Sequence, residues 1–232
     1  MHPLFVERTL LMNLFDILGP VMVGPSSSHT AGAVRIGYMA RRLLKDRPVR
    51  ADIYLHGSFA TTGIGHGTDK AIVAGLLGMQ PDDIRIPESF QIAKKEGLNF
   101  VFHTINLSDV QPNTALIVVD GENGKHVEVE AASVGGGRIM IHKLDGVEAN
   151  FTAENPTIII HNQDTPGHVA KVTNMLAVEN INIATMHLYR GDKRDGYAVM
   201  VIETDQPVPE QAVKDLETLS GILKVIYINT NE

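Results

Sequence analysis

The chain has 232 residues, 44% of them hydrophobic and 20% charged, enough for one large or two modest domains, each with its own core. Its formal charge is -7, from 20 basic against 27 acidic groups without a basic stripe, so nucleic acid and anionic membrane are poor partners. Cysteine is absent, which excludes disulfides, thiol nucleophiles and thiolate metal sites supplied by this chain, and makes a cytoplasmic location the default expectation.

The opening stretch, MHPLFVERTLLMNLFDILGPVMVG, is apolar in places but is interrupted by Asn13, Asp16 and two prolines. It has no basic head and no small-residue cleavage site, so neither a spanning helix nor a signal peptide is expected. GPSSSHT (24–30) follows, then AVRIGYMARRLL (33–44), whose apolar stripe with Arg35, Arg41 and Arg42 outside it predicts a helix. A strand is expected at ADIYLHG (51–57), a helix at TDKAIVAGLLG (68–78) and a strand at LNFVFHTINL (98–107). TALIVVDGENGKHVEVEAAS (114–133) reads as a hairpin with turn GENG, and GGGRIMIHKLDG (135–146) as one more strand. The polar stretch DGVEANFTAENP closes this first α/β unit, taken as residues 1–153.

Residues 154–232 have a different rhythm. TIIIH (157–161) is a β-branched run, and NQDTPG is turn chemistry with Pro166 suited to a helix start. HVAKVTNMLAVEN then has helical spacing. INIATMHLYR and YAVMVIET alternate like paired strands around GDKRDG, before a helix at 208–219 and a strand at 223–229. The order βαββαβ is the split ferredoxin-like arrangement, so the whole chain is of the mixed α/β (α+β) class.

Two loops hold candidate chemistry. In the first, Ser26, Ser27, Ser28, His29 and Thr30 crowd a helix start after Gly24-Pro25. One hydroxyl there suffices as an ordinary N-cap. Several, at the electropositive end of a helix, also make a seat for a carboxylate or phosphate. In the second, HGSFATTGIGHGTDKA (56–71), His66 stands among Gly63, Gly65 and Gly67, with Thr68 able to cap the next helix. Either histidine can be a satisfied structural residue, or the two can share a cleft at the strand ends and move a proton. His56 is a weaker third candidate, and GGG at 135–137 reads as a bulge or tight strand entry. The spacing of the histidines fits no metal site.

The stretches FDILGPVMVGPSSSHTAGAVRIG and HGSFATTGIGHGTDKAIVAGLLG resemble the β chain of the iron–sulfur-dependent L-serine dehydratases of bacteria. DTPGHVAKVTNMLAVENINIATMHLYR resembles an ACT domain, a small-molecule sensor of amino-acid enzymes. The first unit is also similar to the allosteric substrate-binding domain of some 3-phosphoglycerate dehydrogenases. The first resemblance implies conversion of L-serine to pyruvate and ammonia, with a 4Fe-4S cluster ligated by a separate, cysteine-bearing α subunit and not by this chain. Given that reaction, the hydroxyls of Ser26, Ser27, Ser28 and Thr30 at the helix start are expected to seat the substrate carboxylate, and His29 and His66 to transfer protons, with His66 favoured as the base. The ACT resemblance implies effector contacts from Asn162, Asp164 and Asn182, room for a ligand at Gly167, and pairing of β chains through this domain. The rival reading is a non-catalytic regulatory protein that binds an amino acid or anion.

Overall fold

The computed structural model describes residues 21–152, 154–191 and 196–229; the first 20 residues of the opening stretch and most of the GDKRDG turn lie outside them. No helix among the described residues is long and apolar enough to cross a membrane.

A wide π-helical turn, Ser27–Gly32, runs straight into helix α1, Ala33–Leu44. The buried stripe of α1 comprises Val34, Ile36, Ala40 and Leu43, and Arg41 and Arg42 in its last turn complement the helix dipole. Strand β1, Pro48–Leu55, is followed by two short helical turns, α2 (Ser58–Thr61) and α3 (Gly63–His66), then by α4 (Thr68–Leu76). A 3₁₀ turn, Ile86–Glu88, leads into α5, Ser89–Glu96. Helix α5 and the short turns are additional to the elements expected from the sequence.

The strands β2 (Asn99–Thr104), β3 (Thr114–Gly121), β4 (His126–Gly135), β5 (Arg138–Leu144) and β6 (Val147–Phe151) complete a six-stranded sheet of order β2-β1-β3-β4-β5-β6. Only β1 and β2 are parallel, and the crossover that such a pair requires is supplied by α2 to α5, which lie between them in the chain. One face, with Ala51, Ile53, Ala115, Ile117, Val119, Val127 and Val129, is fully buried against the helices.

Two expectations are corrected here. The GGG run is not the start of a strand: Gly135 closes β4 opposite Arg138, after the irregularity in register between Ser133 and Gly135 that the bulge reading anticipates, and Gly136 and Gly137 (φ +62° and +76°) form a two-residue type I′ turn. The polar stretch after residue 145 is not simple boundary, because Val147, Ala149 and Phe151 are buried at alternate positions and form edge strand β6.

The second unit comprises β7 (Thr157–Gln163), α6 (His168–Val178), β8 (Ile183–Arg190), β9 (Tyr197–Thr204), α7 (Glu210–Thr218) and β10 (Ile222–Ile228), in the sheet order β10-β7-β9-β8. This is the expected βαββαβ arrangement. Gly167, not Pro166, stands immediately before α6, with φ +98°. Ile158, Ile160, Met200 and Ile202 pack under the two helices. Ile159, Val199, Val201, Ile226 and Ile228 face the other way and join the core of the first unit. Burial on both faces explains why β7 reads as an unbroken apolar run.

Candidate functional site

The first-loop residues divide by role. Ser26 is the N-cap of the π turn: its Oγ accepts the His29 amide at 3.1 Å, and its carbonyl accepts the Thr30 amide at 2.8 Å. The Ala31 amide also reaches that carbonyl, at 3.4 Å, which gives the turn its extra width. The hydroxyls of Ser27 and Ser28 have no hydrogen-bond partner among the described residues, and both serines are half-buried. Thr30 is buried, and its hydroxyl donates across 3.3 Å to the carbonyl of His66.

Thr68 answers in kind. It does not cap α4 as expected; it is fully buried and its hydroxyl donates to the carbonyl of His29 at 2.9 Å. Each histidine's carbonyl is thus held by a threonine from the other loop. The packing of α1 on α4 brings these loops together. A Cβ on Gly37 would lie 2.1 Å from the Ile72 carbonyl oxygen, and one on Gly75 would lie 2.0 Å from that of Val34, so only glycine allows this approach.

The result is that His29 and His66 meet, with ring centroids 5.0 Å apart and planes inclined at 41°. His29 rests edge-on against the fully buried Phe59 at 5.4 Å. Loss of solvent, and secondarily the charge of His66, hold the His29 imidazole below its ordinary value, against an opposing pull from the Ser58 carbonyl. The His66 ring is exposed, and its Nδ1 donates to the Thr62 carbonyl at 3.0 Å. It lines a cavity of about 260 Å³ together with Gly24, Thr30, Lys70 and Ile86. Thr62, Phe59 and Lys70 were missed by the sequence reading. They lie within the 56–71 stretch but carry no distinguishing pattern there, and only the fold shows that they reach the histidines. His56 is elsewhere engaged, its Nδ1 accepting the Leu107 amide at 3.1 Å.

In the second unit, Asn162, Asp164 and Gly167 line a cavity of about 230 Å³ with His168, Leu188 and Arg190. Asn162 is buried; its Nδ2 donates to the Gln163 carbonyl at 2.7 Å, and its Oδ1 has no partner among the described residues. Asp164 pairs with Arg190 at 3.2 Å. Asn182 does not join them within one chain. Asn162 pairs with Ala198 on β9 whereas Ile183, beside Asn182, pairs with Thr204, which puts Asn182 about 20 Å away at the other end of the sheet. There its amide donates to Asp205.

Comparison with known proteins fits this geometry. The family model described as Serine dehydratase beta chain matches residues 12–97, and that of the ACT domain matches residues 156–221. The chain is 42% identical to a protein of Bacillus subtilis named probable L-serine dehydratase, beta chain, over 93% of this chain and 97% of that one. This chain belongs to the L-serine dehydratase beta-chain family. A second member, L-serine dehydratase, beta chain, of Peptoniphilus asaccharolyticus, is 40% identical over 84% of this chain and 88% of its own. The similarity to dehydrogenases is also present: D-3-phosphoglycerate dehydrogenase of Archaeoglobus fulgidus is 25% identical over 92% of this chain but only 39% of that one. The whole histidine cluster lies inside the segment matched by the serine dehydratase family.

Proposed function

We propose that this chain is the β subunit of a two-chain, cytoplasmic L-serine dehydratase, and that His66 is its general base, supported by His29. The reaction removes the α-proton of L-serine and expels the β-hydroxyl as water; the resulting enamine becomes an imine and is hydrolysed, so the net products are pyruvate and ammonia. Two difficulties have to be met: the α-proton is weakly acidic and hydroxide leaves poorly.

For the second difficulty, the family resemblance implies a 4Fe-4S cluster. This chain has no cysteine, and its described residues contain no group of three metal-binding side chains, so its residues do not fit such a cluster. In this reading a cysteine-bearing α chain holds the cluster, which supplies Lewis acidity toward the substrate hydroxyl.

The first difficulty falls to this chain. The observation that carries the reading is the meeting of two imidazoles 5.0 Å apart beside a cavity. Because the Thr62 carbonyl can only accept, His66 keeps its proton on Nδ1 and leaves Nε2 with a lone pair to take the α-proton. Burial favours the neutral form of His29, which limits the positive charge beside the base. The unpartnered hydroxyls of Ser27 and Ser28 would seat the substrate carboxylate at the electropositive turn, with Ser26 and Thr30 as its frame.

The ACT cavity would take an amino-acid effector, its ammonium at the buried Asn162 Oδ1 and its carboxylate at Arg190. Pairing of two β chains through this domain would let the partner's copy of Asn182 close the site.

The deciding experiment mixes this chain anaerobically with its cysteine-bearing α chain and follows pyruvate from L-serine. The parent complex turns over, and His66→Asn loses at least about a hundredfold in kcat. Turnover by this chain alone, or a His66→Asn complex within about tenfold of the parent, would sink the reading.

A further inference from the structure

We infer that Thr62 is a positioning residue that sets both histidines at once, in opposite tautomers; the inference rests on the proposal that His66 and His29 serve proton transfer. Thr62 directly follows α2 and has no motif of its own. Three polar atoms of this residue act together.

Its hydroxyl lies 2.8 Å from the Ser58 carbonyl and 3.2 Å from Nε2 of His29. A hydroxyl has one hydrogen, and a carbonyl can only accept, so that hydrogen goes to Ser58. Toward His29 the Thr62 oxygen is therefore the acceptor, so the hydroxyl favours a proton on Nε2 of His29, a ring that the Ser58 carbonyl also draws on as an acceptor. The Thr62 amide donates to the same Ser58 carbonyl at 2.9 Å, which fixes the backbone that holds the hydroxyl in place. Its carbonyl accepts from Nδ1 of His66 at 3.0 Å, so that ring carries its proton on Nδ1.

The two rings are thereby given complementary free nitrogens: Nδ1 on neutral His29 and Nε2 on neutral His66. With the rings 5.0 Å apart, this assignment decides which nitrogen of each can take a proton. A histidine that flips between tautomers presents a donor where a base is needed for part of the time. The carbonyl contact survives any side-chain change at Thr62, whereas the hydroxyl contact does not. The two halves of the device can therefore be separated by mutation.

The test uses the full-length chain labelled with nitrogen-15, well above the ordinary imidazole pKa of about 6.5. Ring-nitrogen shifts and long-range couplings report each tautomer, with His29→Asn and His66→Asn serving only to assign the signals. The parent shows Nε2–H for His29 and Nδ1–H for His66. Thr62→Val turns His29 into a tautomer mixture and leaves His66 unchanged, and Thr62→Ser restores the parent pattern. In the complex with the α chain, Thr62→Val lowers kcat about tenfold with KM nearly unchanged, and Thr62→Ser stays within about twofold.

A His29 signal that stays Nε2–H in Thr62→Val overturns the inference, as does a changed tautomer with undiminished turnover. If instead the His66→Asn complex keeps its turnover, the catalytic reading is what fails, and the tautomer result still stands or falls on the isolated chain.

Discussion

At the scale of single residues, the site depends on two threonines whose hydroxyls cross between loops. Thr30 secures the carbonyl of His66, and Thr68 that of His29, with both threonines buried. Thr68→Val keeps the volume and removes one buried hydrogen bond, so it lowers stability by about 1 kcal/mol, measured by chemical denaturation. Because that bond holds His29, the same variant loses more activity with the α chain than its stability change explains. Within this loop Ser26 is an ordinary cap, while Ser27 and Ser28 keep hydroxyls without a partner among the described residues.

At the scale of elements, the contact between α1 and α4 aligns the two loops. A methyl group on Gly75 would meet the Val34 carbonyl oxygen at 2.0 Å and the Tyr38 amide nitrogen at 2.5 Å, both backbone atoms that cannot swing aside. Gly75→Ala therefore costs about 3 kcal/mol of stability and lowers activity as the helix ends move apart. Gly65→Ala is the control. Its Cβ would stand in open space and its backbone is not left-handed, so denaturation shows a change within about 0.5 kcal/mol. Strand β7 makes a related point, since its apolar run has to satisfy a core on each side of the sheet.

At the scale of the whole molecule, the second unit is not an independent bead. Ile159, Val199, Val201, Ile226 and Ile228 belong to the core of the first unit, Arg42 donates to the Asn229 carbonyl at 2.7 Å, and Lys224 reaches Asp145 at 3.4 Å. The full chain is accordingly expected to melt in one calorimetric transition, and a 154–232 fragment, with that apolar face bared, to self-associate in ultracentrifugation. Acid acts at the same junction. Burial lowers the pKa of His161, whose Nε2 has no partner among the described residues; Asp145 pulls it up and Lys224 pushes it down. The folded chain thus binds this proton less readily than the unfolded chain. The stability present above about pH 6.5 is lost as pH falls through the lower folded value. Thermal melts from pH 8 to 5 show this decline, and His161→Leu makes its acid limb shallower.

By itself the sequence determined what depends on chain neighbours: the apolar stripe of α1, the βαββαβ order, the crowding of hydroxyls at one helix start, and the absence of any thiolate ligand. Those features follow from local periodicity, capping chemistry and composition. Only the tertiary structure decided that His29 and His66 touch, that Thr62 stands between them and that Asn182 lies a sheet's length from Asn162. It also decided that the polar-looking 147–151 segment is a strand. Each of these depends on contacts between residues far apart in the chain, above all two glycines pressed against backbone carbonyls, and no local pattern encodes such a distance.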